Sequence, residues 1–260
     1  MLKLDGISKT FNHHEVLKEI NVSIAKGEIV SILGASGSGK TTLLNIILGL
    51  EQPTNGQLLY DGEDITKQVM EKRPFNIVFQ DYALFPNLSA YENLVYGLRK
   101  QKNITSKEEL QELIDLLDLN DHLDKRIHQL SGGQKQRVAL GRTLVMKPQV
   151  LLLDEPLSAL DGVIKESIKE RIQLIAKKLN LTTIIVTHDP EEALTLSDKI
   201  MVLKDGRIAQ YSTPKEIVTN TMEPFVQAFI VDQLIIKRRN IERIFTQATG
   251  VVHEKVVRFS

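Results

Sequence analysis

The stretch Ile29-Val30-Ser31-Ile32-Leu33-Gly34-Ala35-Ser36-Gly37-Ser38-Gly39-Lys40-Thr41 decides how this chain is read. A β-branched run feeds a glycine-rich turn of the form G-x-x-x-x-G-K-[ST], and an apolar helix follows over residues 43–50. Glycines let the backbone fold tightly enough for several N–H groups to face one anion, and the helix N-terminus adds about half an elementary positive charge. Lys40 can reach the β- and γ-phosphates of a nucleoside triphosphate, and the Thr41 hydroxyl can ligate Mg²⁺. The predicted phosphate-binding set is Gly34, Ala35, Ser36, Gly37, Ser38, Gly39, Lys40, Thr41 and Thr42. Taken alone, it leaves kinases, GTPases, helicases and transport ATPases open.

Outward from that loop the pattern is strand–helix alternation. Residues 2–4, 20–24 and 28–33 read as sheet, with Ala25-Lys26-Gly27 as the turn before the last. Residues 103–119 read as a helix opened by a capping box, Ser106 with Glu109, with an apolar stripe of Leu110, Leu113, Ile114 and Leu117. Residues 150–153 and 182–187 are aliphatic runs suited to parallel strands covered on both faces. Between them Ile164, Ile168, Ile172, Ile175 and Leu179 space as one helix face, and Asp205-Gly206 predicts a hairpin between 200–203 and 207–211. The expected fold is α/β: a phosphate-loop core with a mostly parallel sheet, an N-terminal antiparallel β subdomain, and a helical insertion over about 85–148.

Two further segments carry chemistry. The strand 150–153 runs into Asp154-Glu155, so that Asp154 can hold the Mg²⁺ shell while Glu155 orients, or takes a proton from, the water attacking the γ-phosphate. Leu130-Ser131-Gly132-Gly133-Gln134 opens another helix. Ser131 and Gln134 form a capping box, and two successive glycines bare the backbone beyond what capping needs, which makes a second anion-binding helix start. Two such sites and one triphosphate make sense if each chain closes on its partner's nucleotide.

At these residues the chain resembles the nucleotide-binding subunits of ATP-binding-cassette (ABC) transporters, whose signature is LSGGQ, over residues 2–220 or so. The resemblance implies ATP and Mg²⁺ as cofactors and assigns further roles. Phe11 is then the aromatic on which adenine stacks, Gln80 reaches Mg²⁺ and the attacking water, and His188 contacts the γ-phosphate. Ser158-Ala159-Leu160-Asp161 is the loop that crosses the dimer interface, so that Ser131, Gly132, Gly133, Gln134 and Asp161 meet the nucleotide of a second copy. Permease subunits in the membrane would dock beside Gln80, on an apolar groove of Tyr82, Ala83, Leu84, Phe85, Pro86 and Leu88, and an extracellular substrate-binding protein would act indirectly. The wording of residues 79–94 is similar to importer cassettes for minerals and small organic ions, with polyamine or ferric iron as the lead. An exporter cassette and a non-transport ABC ATPase are the alternatives.

The composition is consistent with that resemblance. Thirty-three basic residues balance thirty-three acidic ones among 260, which argues against capture of nucleic acid by global charge. With no cysteine there is no disulfide framework, thiol catalysis or cysteine-ligated metal. No apolar run approaches the ~18 residues of a membrane span, and the N-terminus lacks a signal-peptide core, so the expected location is the cytoplasmic face of the membrane. His13, His14, His122, His128 and His253 show no metal-ligand spacing and read as surface or structural residues. Lys237-Arg238-Arg239 reads as a solvated helix face. The ATP-binding domain is expected over 1–220. Residues 221–260 are expected to be a short docked appendage, with Phe225, Phe229 and Ile230 packing as a helix and 250–259 forming a strand.

Overall fold

The computed structural model describes residues 1–101, 104–158, 160 and 162–249. The antiparallel sheet at the N-terminus has the order β2-β1-β4-β5, built from β1 (Leu2–Phe11), β2 (His14–Ile24), β4 (Asn55–Tyr60) and β5 (Glu63–Asp64). The larger sheet has the order β10-β9-β3-β8-β7-β6, from β3 (Ile29–Gly34), β6 (Phe75–Val78), β7 (Val150–Asp154), β8 (Thr182–Thr187), β9 (Lys199–Lys204) and β10 (Arg207–Ser212). All of its pairings are parallel except the β9–β10 hairpin, whose turn places Asp205 and Gly206 at positive φ.

Period-two alternation splits the central strands between two cores. Val30, Ile32, Val150, Leu152, Ile184 and Val186 face a cluster shared with the antiparallel sheet and the helix α1 (Lys40–Leu48). Leu151, Leu153 and Ile185 face the opposite side, where helices α2 (Ala90–Leu94), α3 (Lys107–Leu116), α4 (Gly132–Leu144) and α5 (Gly162–Leu179) pack. That two-faced burial is why β3, β7 and β8 read as unbroken aliphatic runs. Helices α6 (Pro190–Leu196), α7 (Pro214–Thr219) and α8 (Pro224–Val226) follow on the far flank, and a π-turn leads into α9 (Asp232–Thr249). Val226 and Ile230 are buried there against Ile200, Val202 and Ile217, and Phe225 stacks on Phe229 with centroids 5.1 Å apart. Lys237 pairs with Glu191 and Arg238 with Glu242. The strand expected at 250–259 lies outside the described residues.

Several boundaries differ from the sequence reading. The strand expected at 2–4 runs to Phe11, because Gly6 and Glu19 at positive φ and shifts in the β1–β2 register interrupt the alternation without ending the ladder. The helix expected at 43–50 begins at Lys40 and stops at Leu48, where Gly49 turns left-handed and its N–H caps Asn45 and Ile46 carbonyls. Ser106 and Glu109 do form the reciprocal cap of α3, but the helix ends at Leu116; Leu117 remains buried as its cap. On α5 the buried stripe is Ile168, Ile172 and Ile175, while Ile164 and Leu179 are exposed at its ends.

The phosphate-loop helix is fixed at its other end by a residue the pattern does not reveal. Arg73, buried before β6, donates to the carbonyls of Ile46 (2.7 Å) and Ile47 (2.6 Å) in the last turn of α1, and to those of Gln68 and Thr66. The Ile46 carbonyl otherwise has only the long 3.2 Å bond from the Gly49 N–H, and carbonyls in a helix's last turn generally lack a full set of intrahelical partners. Arg73→Ala should therefore lower the unfolding free energy by about 3 kcal/mol, since it orphans several buried acceptors at once. Arg73→Lys should recover only part, lacking the guanidinium fork. Urea unfolding checks this; an unchanged midpoint in Arg73→Ala would mean that other groups satisfy α1.

Candidate nucleotide site

Strand register brings the site together. Leu33 of β3 lies opposite Thr187 of β8, and Asp154 of β7 lies opposite Val186, so the loops leaving the three strands emerge from one edge of the sheet. A cavity of about 460 Å³ opens at that edge. It is lined by Ser36, Gly37, Gly39, Lys40, Thr41, Thr42, Gln80, Asp154, Glu155 and His188, together with Val16 and Val186.

The loop is a tight cradle. Gly39 caps α1 at φ 103°, and a Cβ there would lie 2.7 Å from the Leu17 side chain. The Lys40 ammonium donates to the carbonyls of Gly34 (2.7 Å) and Ala35 (2.9 Å), which fold the loop around it. Burial pulls the Lys40 pKa down, against the opposing pull of Glu155 and Asp154. The Ser38 hydroxyl is buried without a partner among the described residues, so the loop holds one more polar group than its own chain satisfies.

Glu155 is the hub of the polar groups. It sits at φ 44°, uncommon for a residue with a side chain, and its N–H donates to the Val186 carbonyl at 2.8 Å. One carboxylate oxygen accepts from Gln80 Nε2 (3.2 Å) and the other faces His188 Nδ1 (3.0 Å). Gln80 also reaches the Ser158 hydroxyl, which donates back to the Glu155 carbonyl. Asp154, directly before it, has its pKa raised by burial first and by the Glu155 charge second, with Lys40 opposing. Among the described residues no three His, Cys, Asp or Glu side chains form a metal-binding group, so a cation here would need oxygens from a ligand as well as Thr41, Gln80 and Asp154.

Other expected residues lie elsewhere. Phe11 is at the end of β1, 40% exposed, with the Lys9 ammonium 4.6 Å from its ring centroid, and it does not line the cavity. Val16, on the neighbouring strand, does; nothing in its sequence context marks it. Ser131 and Gln134 form the reciprocal cap of α4, with Ser131 and Gly132 exposed and Gly133 buried, and none of residues 131–134 lines this chain's cavity. Ala159 and Asp161 lie outside the described residues. In the expected permease groove Tyr82 is only 8% exposed, so it underlies the surface and does not form it. Tyr82 and Ala83 both take positive φ, and Arg142 of α4 holds their carbonyls at 2.9 and 2.7 Å with its guanidinium over the Phe85 ring.

A family model described as "ABC transporter" matches residues 17–158. The spermidine/putrescine import ATP-binding protein PotA of Spiroplasma citri is 47% identical over 91% of this chain and 68% of its own length. PotA of Escherichia coli strain K12 is 43% identical over 95% of this chain and 66% of its own, so the chain spans about two thirds of these relatives. Among solved structures, a dimeric ATP-binding cassette in a post-hydrolysis state bound to ADP and Pi superposes with a TM-score of 0.71 at 34% identity, covering 82% of this chain and 99% of that one. CbiO1 from Clostridium perfringens, part of the ABC transporter complex cbiONQ, gives 0.76 at 30% identity over 96% and 95%.

The Asp154 environment has a measurable consequence for stability. Its folded pKa lies above the unfolded value, so ionised Asp154 destabilises the ligand-free fold, fully so above the folded pKa. Asp154→Asn should raise the urea midpoint of the ligand-free protein near neutral pH. The gain should shrink as the pH falls through that raised pKa, where the wild-type carboxyl is itself neutral. A variant less stable than wild type at neutral pH would show that the Lys40 attraction outweighs burial.

Proposed function

The chain belongs to the ABC transporter family, and from that premise we propose that it is the ATP-binding and ATP-hydrolysing subunit of an importer for polyamines. The observation that carries the chemistry is Glu155 held between Gln80 and His188 above the phosphate loop. The cargo is supported by the relatives at 43–47% identity, which are named for spermidine and putrescine import.

The triphosphate enters the loop, whose N–H groups and Lys40 take the β- and γ-phosphates; the turn with Gly37 and Gly39 at positive φ, both lining the cavity beside Lys40, fits an anion. Mg²⁺ fits the donor set of Thr41, Gln80 and Asp154, and when bound it neutralises phosphate charge. Glu155 orients the attacking water through its carboxylate. As the water oxygen bonds to the γ-phosphorus and the bridging oxygen departs with ADP, the carboxylate accepts the proton. His188, steadied by Glu155, is placed to contact the γ-phosphate, and Gln80 would help to hold the cation and to orient the attacking water. Phe11, an exposed ring on the strand paired with that of Val16, offers adenine a stacking face.

The site is completed by a second copy. Residues 131–134 are presented at a capped helix start away from this chain's own cavity, which suits capping of a partner's nucleotide; the family resemblance gives Asp161, outside the described residues, a role at the same interface. ATP binding then closes the dimer, and the charge of the products favours opening. No described helix is long and apolar enough to cross a membrane, so the motion must pass to permease subunits. The surface around Leu84 and Phe85, with Tyr82 packed beneath, is the proposed contact at the cytoplasmic face, and the extracellular binding protein is engaged only through the permease.

Glu155→Gln should keep ATP binding but lower turnover roughly 10²-fold or more, because the amide keeps the shape and loses the base. Size-exclusion chromatography with Mg·ATP should show it moving from monomer to dimer; turnover at the wild-type rate would remove Glu155 from this role. Ser131→Arg should bind ATP normally and fail to hydrolyse it, since the added cation fills the space the partner's γ-phosphate must enter. Wild-type hydrolysis by Ser131→Arg would overturn the shared site.

A further inference from the structure

The geometry points to His122 as a positioning residue for the signature loop, which it holds through Gln134. This rests on the shared-site reading given above.

His122 lies in the short turn after α3, half-buried, twelve residues before Gln134. The Gln134 carboxamide cannot choose its orientation freely. Its Oε1 accepts from the Ser131 N–H at 2.9 Å, and the Ser131 hydroxyl accepts from the Gln134 N–H at 3.3 Å. With the oxygen committed to a backbone donor, the amide nitrogen must donate outward, and what it meets at 3.0 Å is His122 Nε2. That nitrogen must therefore carry a lone pair, which in a neutral ring places the proton on Nδ1. Nδ1 lies 3.1 Å from the Lys125 ammonium, a donor with no acceptor capacity.

The two contacts compete for one ring. A neutral imidazole has a single acceptor nitrogen, so it satisfies either Gln134 or Lys125. In the Nδ1–H form it fixes the Gln134 amide, and through it the Ser131 backbone and the exposed Gly132 that face the partner's nucleotide. In the Nε2–H form it accepts from Lys125 and releases Gln134. The other charged groups around it are Asp118, whose carboxylate interacts with His122, and Arg137 of α4, which pairs with Asp118 at 2.7 Å. Arg137 keeps that carboxylate engaged, so the Nδ1–H form requires only that the half-buried Lys125 swing its ammonium away from the ring.

His122 touches neither the nucleotide nor the water on its own chain, since it does not line the cavity. Its effect is expected on turnover in the closed dimer and not on ATP affinity of the separate chain. Loss of one hydrogen bond that orders the cap should lower kcat roughly three- to tenfold.

The test compares His122→Leu, His122→Gln and Ser131→Arg with wild type in the full chain, reading kcat and KM with Mg·ATP and ATP binding at equilibrium. His122→Leu should lose kcat with ATP binding unchanged. His122→Gln, whose carboxamide oxygen can accept from Gln134, should recover most of it. Wild-type kcat in His122→Leu, or equal impairment in both His122 variants, overturns the proposal. If His122→Leu does not fold, the ring tautomer decides: nitrogen NMR of the wild-type chain should show the Nδ1–H form of His122, and an Nε2–H form overturns the proposal. Ser131→Arg separates the two levels. Its inactivity beside a wild-type-like His122→Leu sinks only the role of His122, whereas its full activity sinks the shared site on which that role depends.

Discussion

Three neighbouring strands, β3, β8 and β7, end at matched heights, and the site exists because they do. Leu33 is level with Thr187 and Asp154 with Val186. Each residue along a strand advances about 3.3 Å and reverses the side-chain face, so a slip of one step would move Asp154 off the phosphate loop and turn it into the core. What forbids the slip is burial on both faces. Val150 and Leu152 belong to one core and Leu151 and Leu153 to the other, so no shifted register leaves all four covered alike. The ladder even continues one residue beyond β7, through the Glu155 N–H to the Val186 carbonyl. That bond holds Glu155 at its positive φ, with its carboxylate between Gln80 and His188.

At this edge the fold gathers charges that destabilise one another. Burial disfavours the charged forms of both Lys40 and Asp154, while their mutual attraction acts the other way, and Glu155 adds a second negative charge beside the first. The buried Ser38 hydroxyl adds a polar group that the described residues leave without a partner. Such a site is stable only because it stands on cores that do not depend on it. It is reactive toward a polyanion for the same reason: a triphosphate supplies acceptors to the loop, and its cation supplies positive charge to the carboxylates. The preorganisation of the site and its cost in the free chain are one property seen with and without ligand.

Much of this was legible in the sequence because the phosphate loop, the strand before Asp154-Glu155 and the capped start of α4 are local patterns. Each needs only neighbours in the chain to be recognised, and the structure places Lys40, Thr41, Gln80, Asp154, Glu155 and His188 around one cavity. What escaped were features made by distant partners. Arg73 caps a helix end 26 and 27 residues earlier, Arg142 holds carbonyls about 60 residues away, and neither sits in a pattern that announces it. Val16 enters the cavity by the packing of one sheet on another. The full length of β1 was hidden by its irregular register, and Tyr82 was read as surface because an aromatic among apolar loop residues looks the same whether it faces out or in.

Arg142 also bears on how events at the nucleotide travel. The helix α4 spans 13 residues, about 20 Å, with the signature cap at its N-terminus and Arg142 in its last turn. Arg142 grips the carbonyls of Tyr82 and Ala83, two residues held at positive φ, just past Gln80. Phe85 is in turn packed on Tyr96 with centroids 4.3 Å apart, and Asn93 bonds both its N–H and its carbonyl. The loop therefore has little freedom to move independently of α4. In the proposed site it is tied at one end to the nucleotide through Gln80 and at the other to a helix whose start would face a second copy. In that reading, closure of the dimer on the start of α4 would displace this loop as a unit with the helix. A soft loop would absorb that displacement, whereas a positive-φ backbone under a guanidinium clamp would carry it on to the surface proposed for the permease.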